Sequence, residues 1–331
     1  MNRLKAVTFD FWSTLVDGNL TPERTAARLA RLHAAIVGAG HAVSSEELKA
    51  AFDFSLERVT SAARESLEDV GPPGRWAELA RELGIPEGLI AYEVVEKAYE
   101  DITLEPLPDA MPHARAAVEA MRQRGFRLGV ICNTGMAGGR VLREVLRRHG
   151  LLDLFDVTVF SNEFGMSKPH PSIFVYTLER LGGVAPSEAL HVGDIEELDV
   201  EGARRAGLWS ALYAPDAPRD AFMGSRDASM GSRDGSAGSR DASAGSRDAS
   251  TGSRDASGRL RDVSSGSRDA PRASRDAPTG SRDAPATSRD ASRRPRDGST
   301  DGVRTDADLV VRDWRDFAHQ IDRFVMPGQD H

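Results

Sequence analysis

The chain has 331 residues, 40% of them hydrophobic, and a formal net charge of −8; this length is typical of about two domains. Residues 217–304 hold 17 Arg and 13 Asp, a net charge of +4, so the rest of the chain carries −12. This acidic balance disfavours attraction to nucleic acid or to an anionic membrane, and we expect neither as a partner.

The composition also limits the compartment. No apolar run approaches the roughly 18 residues of a membrane span, and the first strand pattern begins too close to the N-terminus for a secretory signal. The single cysteine, Cys132, excludes an internal disulfide and a cysteine-rich zinc site. We therefore expect a cytoplasmic protein, because a chain without disulfides suits a reducing compartment.

Apolar strand patterns alternate with amphipathic helical patterns along most of the chain, which is typical of a parallel α/β sheet. Strands are predicted over residues 4–11, 126–132, 157–160, 190–193, 208–213 and 308–311. Helices are predicted over 111–124, 138–149, 171–182 and 197–206, and after the last strand over a stretch with Trp314, Phe317, Ile321 and Phe324 on one face. The expected fold is a Rossmann-like α/β core.

Residues 21–104 break this alternation, because they predict one helix after another. Helix starts are predicted at Thr21-Pro22-Glu23 and at Ser44-Ser45-Glu46-Glu47, and a sharp turn at Gly71-Pro72-Pro73-Gly74. An all-α cap domain, residues 18–106, is therefore expected between the first strand and the rest of the sheet.

A second insertion is expected late in the chain, where Arg-Asp recurs every seven residues from Arg219 to Arg296. The repeat has no apolar a and d positions, so a coiled coil is excluded, and its Ala, Gly, Ser, Arg and Asp cannot offset the entropy of ordering. We predict a disordered low-complexity insertion. The predicted domains are core (1–17), cap (18–106), core (107–216), disordered insertion (217–304) and core (305–331).

Four short polar segments follow predicted strands or precede helices, where ligands bind in open α/β sheets. They are Asp10 after the first strand, Cys132-Asn133-Thr134-Gly135 after the second, Lys168-Pro169, and Asp194 and Asp199 in a Gly-Asp-x4-Asp pattern before Gly202-Ala203. Carboxylates gathered at one corner repel one another unless a lysine or a cation offsets them, and oxygen ligands of this kind suit Mg²⁺. Backbone N–H groups of the turn after the second strand could hold a phosphate.

In this order the four segments resemble the haloacid dehalogenase superfamily of hydrolases, and the helical insertion resembles that superfamily's first-position cap. The resemblance implies a nucleophilic Asp10, a Lys168 that neutralises its charge, and a transferring group held by Cys132, Asn133 and Thr134. It also implies Mg²⁺ bound by Asp10, the main-chain carbonyl of Trp12, Asp194 and Asp199, with Asp199 orienting the metal or its water. The expected activity is hydrolysis of a small phosphorylated metabolite through a phosphoaspartyl intermediate on Asp10.

Two positions depart from the pattern of phosphatases in that superfamily. Trp12 replaces the second Asp, whose general acid–base help is worth roughly 10² to 10⁴ in rate. Asp17 is a candidate substitute. Cys132 stands where Ser or Thr is usual, and a thiol is a weaker hydrogen-bond donor.

Three functions therefore stay open: a slow phosphatase, a metal-independent 2-haloacid dehalogenase using Asp10, and a catalytically weakened binding or regulatory protein. Dehalogenases carry an aromatic residue at the position of Trp12, whereas Gly193-Asp194 resembles the metal-dependent members.

Other polar residues have ordinary explanations as well as functional ones. The three arginines on one face of the first cap helix could bind a substrate anion or simply form a solvated face; they are Arg24, Arg28 and Arg31. Four scattered histidines show no metal-ligand spacing; they are His113, His149, His170 and His191. The sequence leaves the substrate and the oligomeric state open.

Overall fold

The computed structural model describes residues 4–18, 21–215 and 305–325. Its sheet strands are β1 (Ala6–Phe9), β2 (Arg127–Cys132), β3 (Val157–Phe160), β4 (Ala189–Gly193), β5 (Trp209–Tyr213) and β6 (Leu309–Val311). They form one six-stranded sheet in the order β3-β2-β1-β4-β5-β6, and every neighbouring pair is parallel. The predicted α/β fold with a parallel Rossmann-like sheet is confirmed.

The central strands are buried on both faces, as strands of a parallel sheet covered by helices must be. All residues of β1 and β4 are buried, and β2 is buried except for Arg127. Phe9 of β1 lies opposite Val130 of β2 and Val192 of β4. This register brings the carboxyl ends of the three strands to one edge of the sheet, where the predicted site residues follow.

A helical module, defined here as residues 21–104, follows β1. Its helices are α1 (Pro22–Gly38), α2 (Ser45–Ser66), α3 (Gly71–Glu82) and α4 (Tyr92–Tyr99), followed by a 3₁₀ turn (Asp101–Leu104). The side chain of Thr21 caps α1, and Ser44 with Glu47 forms a capping box on α2. The module has its own hydrophobic cluster, which includes Leu32, Ile36, Phe52, Trp76 and Val95.

One local prediction in the module is wrong. Gly71-Pro72-Pro73-Gly74 forms the first turn of α3 rather than a turn between helices. Proline fits there because the first N–H groups of a helix have no partner within the helix. The change of direction occurs instead between the last residue of α2 and Gly71. Leu67 ends α2 with a φ of 60°, which is uncommon outside glycine.

The remaining helices flank the sheet. They are α5 (Ala114–Gln123), α6 (Gly139–Arg148), α7 (Ser161–Phe164), α8 (Pro171–Arg180), α9 (Glu201–Arg205), α10 (Trp314–Gln320) and α11 (Asp322–Val325). One hydrophobic cluster joins α5, α6 and α10 to the strands, and another joins α8 and α9 to them. The helix predicted over 197–206 is divided into a π-helical turn (Glu196–Val200) and α9. Asp199 lies in this π-helical turn.

The predicted disordered insertion lies outside the described residues. On either side of it, β5 and β6 pair directly, with Ala211 opposite Leu309. Trp314, Phe317 and Ile321 are buried in the same cluster as β1, so the C-terminal segment belongs to the core sheet. Over the part of the chain that the structure describes, no helix combines the length and apolarity needed to cross a bilayer.

Candidate active site

Asp10 leaves the buried strand β1 at the edge where the polar segments meet. Its N–H donates to the carbonyl of Val192 at 2.8 Å, which ties the residue to β4. Only 7% of Asp10 is exposed. Its Oδ1 accepts from Nζ of Lys168 at 2.5 Å, and its Oδ2 accepts from Oγ1 of Thr14 at 3.4 Å. The predicted nucleophile and the predicted lysine are therefore in direct contact.

Lys168 links two carboxylates within the buried site. Its Nζ donates to Oδ1 of Asp10 and, at 2.7 Å, to Oδ1 of Asp199. The side chain of Asn133 holds the backbone of this lysine from both sides, since its Oδ1 accepts from the Lys168 N–H at 2.7 Å and its Nδ2 donates to the Lys168 carbonyl at 2.9 Å. The amide of Asn133 thus positions Lys168, and its predicted contact with the transferring group stays a prediction.

Asp199 is engaged by three donors. Besides Lys168, Nε2 of His191 lies 3.1 Å from its Oδ1, and the N–H of Ile195 donates to its Oδ2 at 2.9 Å. The other ring nitrogen of His191 lies 2.9 Å from Oγ1 of Thr8. These contacts suit Asp199 to orienting Lys168 and His191, and its part in holding or orienting a metal stays a prediction.

His191 belongs to the site, although its sequence pattern predicted no role for it. It lies in β4 between apolar residues, is 1% exposed and contacts the carboxylate of Asp199. A buried polar side chain requires hydrogen-bond partners. A histidine inside a strand that is otherwise apolar on both faces therefore indicates a buried polar contact, whereas the spacing between histidines indicates nothing.

Gly193 is required by the close approach of Asp199. The π-helical turn brings the Asp199 carboxylate back over the end of β4, and a Cβ at position 193 would overlap its carboxyl carbon. Only a residue without a side chain leaves this carboxylate in contact with Lys168 and His191.

Gly193→Ala is therefore expected to displace Asp199 and to destabilise the fold by about 1–3 kcal/mol, the usual cost of overpacking a dense interior. Urea denaturation followed by circular dichroism measures the change. The control is Gly38→Ala, because a Cβ at this position meets nothing within 4 Å. This variant should have unchanged or higher stability. Equal midpoints for the wild type and Gly193→Ala would contradict the requirement.

The electrostatics of the site favour a cation. Asp10, Asp194 and Asp199 are buried, and one carboxylate oxygen of each lies within 4.8 Å of those of the others. Burial and the neighbouring carboxylates outweigh Lys168 and raise the pKa of Asp10 to about 7. Although burial opposes it, Lys168 and the His191 hydrogen bond hold the pKa of Asp199 below its usual range. Lys168 brings one positive charge to three clustered carboxyl groups, and an all-oxygen donor set of this kind fits a hard divalent cation.

The residues predicted to hold the transferring group lie at the same edge. Cys132 is buried, and burial raises the pKa of its thiol, which disfavours a thiolate nucleophile. Thr134 donates its N–H to Oγ of Ser161 at 2.8 Å and its hydroxyl to Oδ2 of Asp69 at 2.7 Å. Asp69 belongs to the helical module. Direct substrate contacts of Cys132 and Thr134 stay predictions.

Position 12 carries no acid. Trp12 is partly exposed, and its ring meets that of Phe11 edge-on with centroids 4.7 Å apart. An indole cannot exchange protons with a leaving group. Asp17, the candidate substitute, interacts electrostatically with Arg24. Its role as an acid stays a prediction.

The interpretation of the α1 arginines as a solvated face is wrong for two of the three. Arg28 is 1% exposed and donates from Nε to the carbonyl of Tyr99 at 2.8 Å. Arg24 is 9% exposed and donates to the carbonyl of Pro106. Arg31 is exposed and pairs with Glu105 at 2.7 Å. Arg24 and Arg28 thus contact residues outside α1. Helical periodicity alone cannot tell a face covered by such residues from a face exposed to solvent.

A family model described as haloacid dehalogenase-like hydrolase matches residues 4–207. The chain belongs to this hydrolase family. It is 33% identical over 216 residues to the glyceraldehyde 3-phosphate phosphatase of Methanopyrus kandleri, a match that covers 62% of this chain and 82% of that protein. The predicted superfamily is confirmed.

Other curated relatives and a solved structure are also similar to the chain. The chain is 36% identical over 145 residues to the phosphoserine phosphatase of Thermus thermophilus, covering 44% of this chain and 50% of that protein. It spans about half the length of several other curated relatives. A solved HAD phosphatase from Thermococcus onnurineus is 26% identical, with 65% of this chain and 89% of that chain covered and a TM-score of 0.45.

Proposed function

We propose that this hydrolase is a Mg²⁺-dependent phosphatase that acts on a small phosphorylated metabolite through a phosphoaspartyl intermediate on Asp10. The observation that carries the proposal is the contact of 2.5 Å between Asp10 and Lys168 inside a buried group of three carboxylates. Relatives named as phosphatases of glyceraldehyde 3-phosphate and of phosphoserine support this substrate class. A cytoplasmic location remains a prediction.

The chain's own residues would divide the reaction into two displacements. A carboxylate oxygen of Asp10 attacks phosphorus, the ester P–O bond breaks, and the alcohol departs with a proton from solvent or from a nearby acid. Water then attacks phosphorus, the bond to Asp10 breaks, and inorganic phosphate leaves with the carboxylate restored. Lys168 offsets negative charge on Asp10 and on the approaching phosphate, which otherwise repel one another.

The donor set supports a Mg²⁺ ion beside Asp10. We propose that Asp10, Asp194 and the main-chain carbonyl of Trp12 would hold it, while Asp199 acts indirectly through the groups it orients. When bound, the ion supplies positive charge that stabilises the transferring phosphoryl group. The same charge would lower the pKa of Asp10 and keep the nucleophile ionised.

The helical module is proposed to act as the cap over this site. It follows β1 and Asp10 in the chain, and its residue Asp69 contacts Thr134 in the predicted substrate-binding turn. The domain boundaries drawn from the sequence stay predictions.

A substrate panel tests the proposal against its alternatives. Phosphate esters and short 2-haloacids are each incubated with the full chain in Mg²⁺ and in EDTA, and phosphate and halide are measured. Phosphate release that stops in EDTA is expected. Halide release that ignores EDTA would favour the dehalogenase, for which Trp12 is the specific observation, and release of neither product would favour a binding or regulatory protein.

Asp194→Asn is expected to remove the stabilisation that Mg²⁺ confers. A ligand that binds only the folded state raises stability by RT ln(1 + [L]/Kd), about 2.7 kcal/mol at 100 times Kd. The variant loses an anionic ligand, so its melting temperature should not respond to Mg²⁺, while its metal-free stability holds or rises because one repelling charge is gone. Differential scanning fluorimetry with and without Mg²⁺ measures both effects.

The matched control is Glu197→Gln, which neutralises an exposed acid of the same segment. It should retain the full response to Mg²⁺. A response that survives in Asp194→Asn, or disappears equally in both variants, would mean that Asp194 does not hold the ion.

A further inference from the structure

The connection between α2 and α3 contacts both loops that carry the predicted site residues. The N–H of Ser167 donates to the carbonyl of Leu67 at 2.7 Å, and the N–H of Asp69 donates to the carbonyl of Gly165 at 3.1 Å. These bonds lie immediately before Lys168. The helical module is thus joined by backbone pairing to the loop of the site lysine.

The side chain of Asp69 binds the second loop. Its Oδ2 accepts from Oγ1 of Thr134 at 2.7 Å and from Oγ of Ser161 at 2.5 Å, and Ser161 in turn accepts from the N–H of Thr134 at 2.8 Å. The three residues therefore form a closed network around the turn that follows β2. Asp69 is 8% exposed, and its Oδ1 accepts from the N–H of Gly71 at 2.8 Å.

The hydrogen bonds among Asp69, Thr134 and Ser161 fix the conformation of the turn that follows β2. A buried carboxylate is costly unless hydrogen bonds satisfy it, and a fully satisfied buried network selects one arrangement of its members. Asp69 meets that condition with two hydroxyls and one N–H. Thr134 follows Asn133, whose amide grips the backbone of Lys168 on both sides. A shift of the turn would therefore move Asn133 and the site lysine together.

The far end of the same turn is held in a similar way. Glu100, 4% exposed at the end of α4, accepts from the N–H of Gly138 at 2.7 Å, where α6 begins. The module thus supplies one buried carboxylate at each end of residues 133–138.

From these contacts we infer that Asp69 is a positioning residue: the helical module, through this carboxylate, sets the geometry of the turn at Asn133 and Thr134 and thereby of Lys168. The inference rests on the proposed function in one respect, because positioning affects turnover only if this turn and lysine serve phosphoryl transfer. Displacement of a group by about 1 Å can cost on the order of 10²-fold in rate.

The test compares Asp69→Ala, Asp69→Asn and the wild type as full chains. Asp69→Ala should lower kcat by about 10- to 100-fold with a smaller change in KM, because transition-state positioning is lost. Asp69→Asn keeps the shape and a hydrogen-bonding side chain, and should recover most of the activity. The matched control is Asp53→Ala, which removes an exposed carboxylate of the same module that pairs with Lys49, and it should behave as wild type.

Hydrogen–deuterium exchange supplies a readout that does not depend on activity. Asp69→Ala should accelerate exchange in residues 133–138 and 161–168 and leave α8 unchanged. Unchanged exchange in those two segments, or acceleration throughout the core, would overturn the positioning role. If Asp69→Ala does not fold, Thr134→Val removes the hydroxyl partner alone and must show the same local acceleration. A wild-type chain that releases no phosphate would refute the proposed function, and the exchange data alone would then decide the inference.

Discussion

Asp10→Asn is expected to abolish phosphate release while leaving the fold intact. The carboxylate is the proposed nucleophile, and an amide cannot form the acyl phosphate, so the loss should reach at least about 10⁴-fold. The fold should persist because Lys168 keeps its contact with Asp199 at 2.7 Å, and because the variant removes one of three buried carboxylates that repel one another. Phosphate release and the thermal midpoint are measured on the same preparations.

The change in melting temperature caused by Asp10→Asn shows whether Asp10 serves as a nucleophile or as part of a structural ion pair. Burial raises the pKa of Asp10 to about 7, which means that the ionised form is destabilised in the folded, metal-free protein. In EDTA at neutral pH, Asp10→Asn should therefore melt no lower than the wild type. A large fall in the melting temperature would identify the Asp10–Lys168 pair as a structural ion pair. Phosphate release that survives in the variant would remove the nucleophile assignment.

The features that the sequence predicted depend on local patterns. Strands that are apolar on both faces indicate a parallel sheet. Asp10 and Asp194 directly follow two such strands, so the topology of the sheet brings them to the same edge. The Thr21 and Ser44 caps are equally local, since each side chain binds a backbone group three residues later.

The features that escaped prediction depend on partners distant in the chain. Asp69 and Thr134 are 65 positions apart, and Thr8 and His191 are 183 apart. Nothing in the neighbourhood of Asp69 distinguishes a buried carboxylate from a turn residue before Gly71. The arginines of α1 show the same limit, because helical periodicity places Arg28 on a face without indicating that Tyr99 covers it. Partner identity arises from tertiary packing, which local spacing does not encode.

The absence of an acid at position 12 should make turnover strongly dependent on the leaving group. If Trp12 can neither give nor take a proton, an alkyl phosphate must expel a poorly stabilised alkoxide, whereas an aryl phosphate expels a phenolate that needs no proton. The wild type should therefore hydrolyse the aryl ester far faster. The difference reports on the proton transfer because both esters share the same nucleophile, lysine and phosphoryl group.

Trp12→Asp should narrow that difference by roughly 10²- to 10⁴-fold, since the new carboxyl can protonate the poor leaving group and activate the attacking water. The variant also loses the edge-on contact with Phe11, worth about 0.5–1.5 kcal/mol. Trp12→Phe, which restores an aromatic ring without an acid, is the matched control and should leave the leaving-group dependence as in the wild type. Circular dichroism first establishes that both variants are folded, and rates are then measured for the two esters.

The opposite result would locate the acid elsewhere. If the wild type and Trp12→Asp respond equally to the leaving group, another residue already transfers the proton, and Asp17 is the candidate in the same loop. Asp17 interacts electrostatically with Arg24 of α1. Asp17→Asn should then slow the alkyl ester more than the aryl ester. Equal slowing of both esters would exclude Asp17 as the general acid, because loss of a general acid slows the ester with the poorer leaving group more.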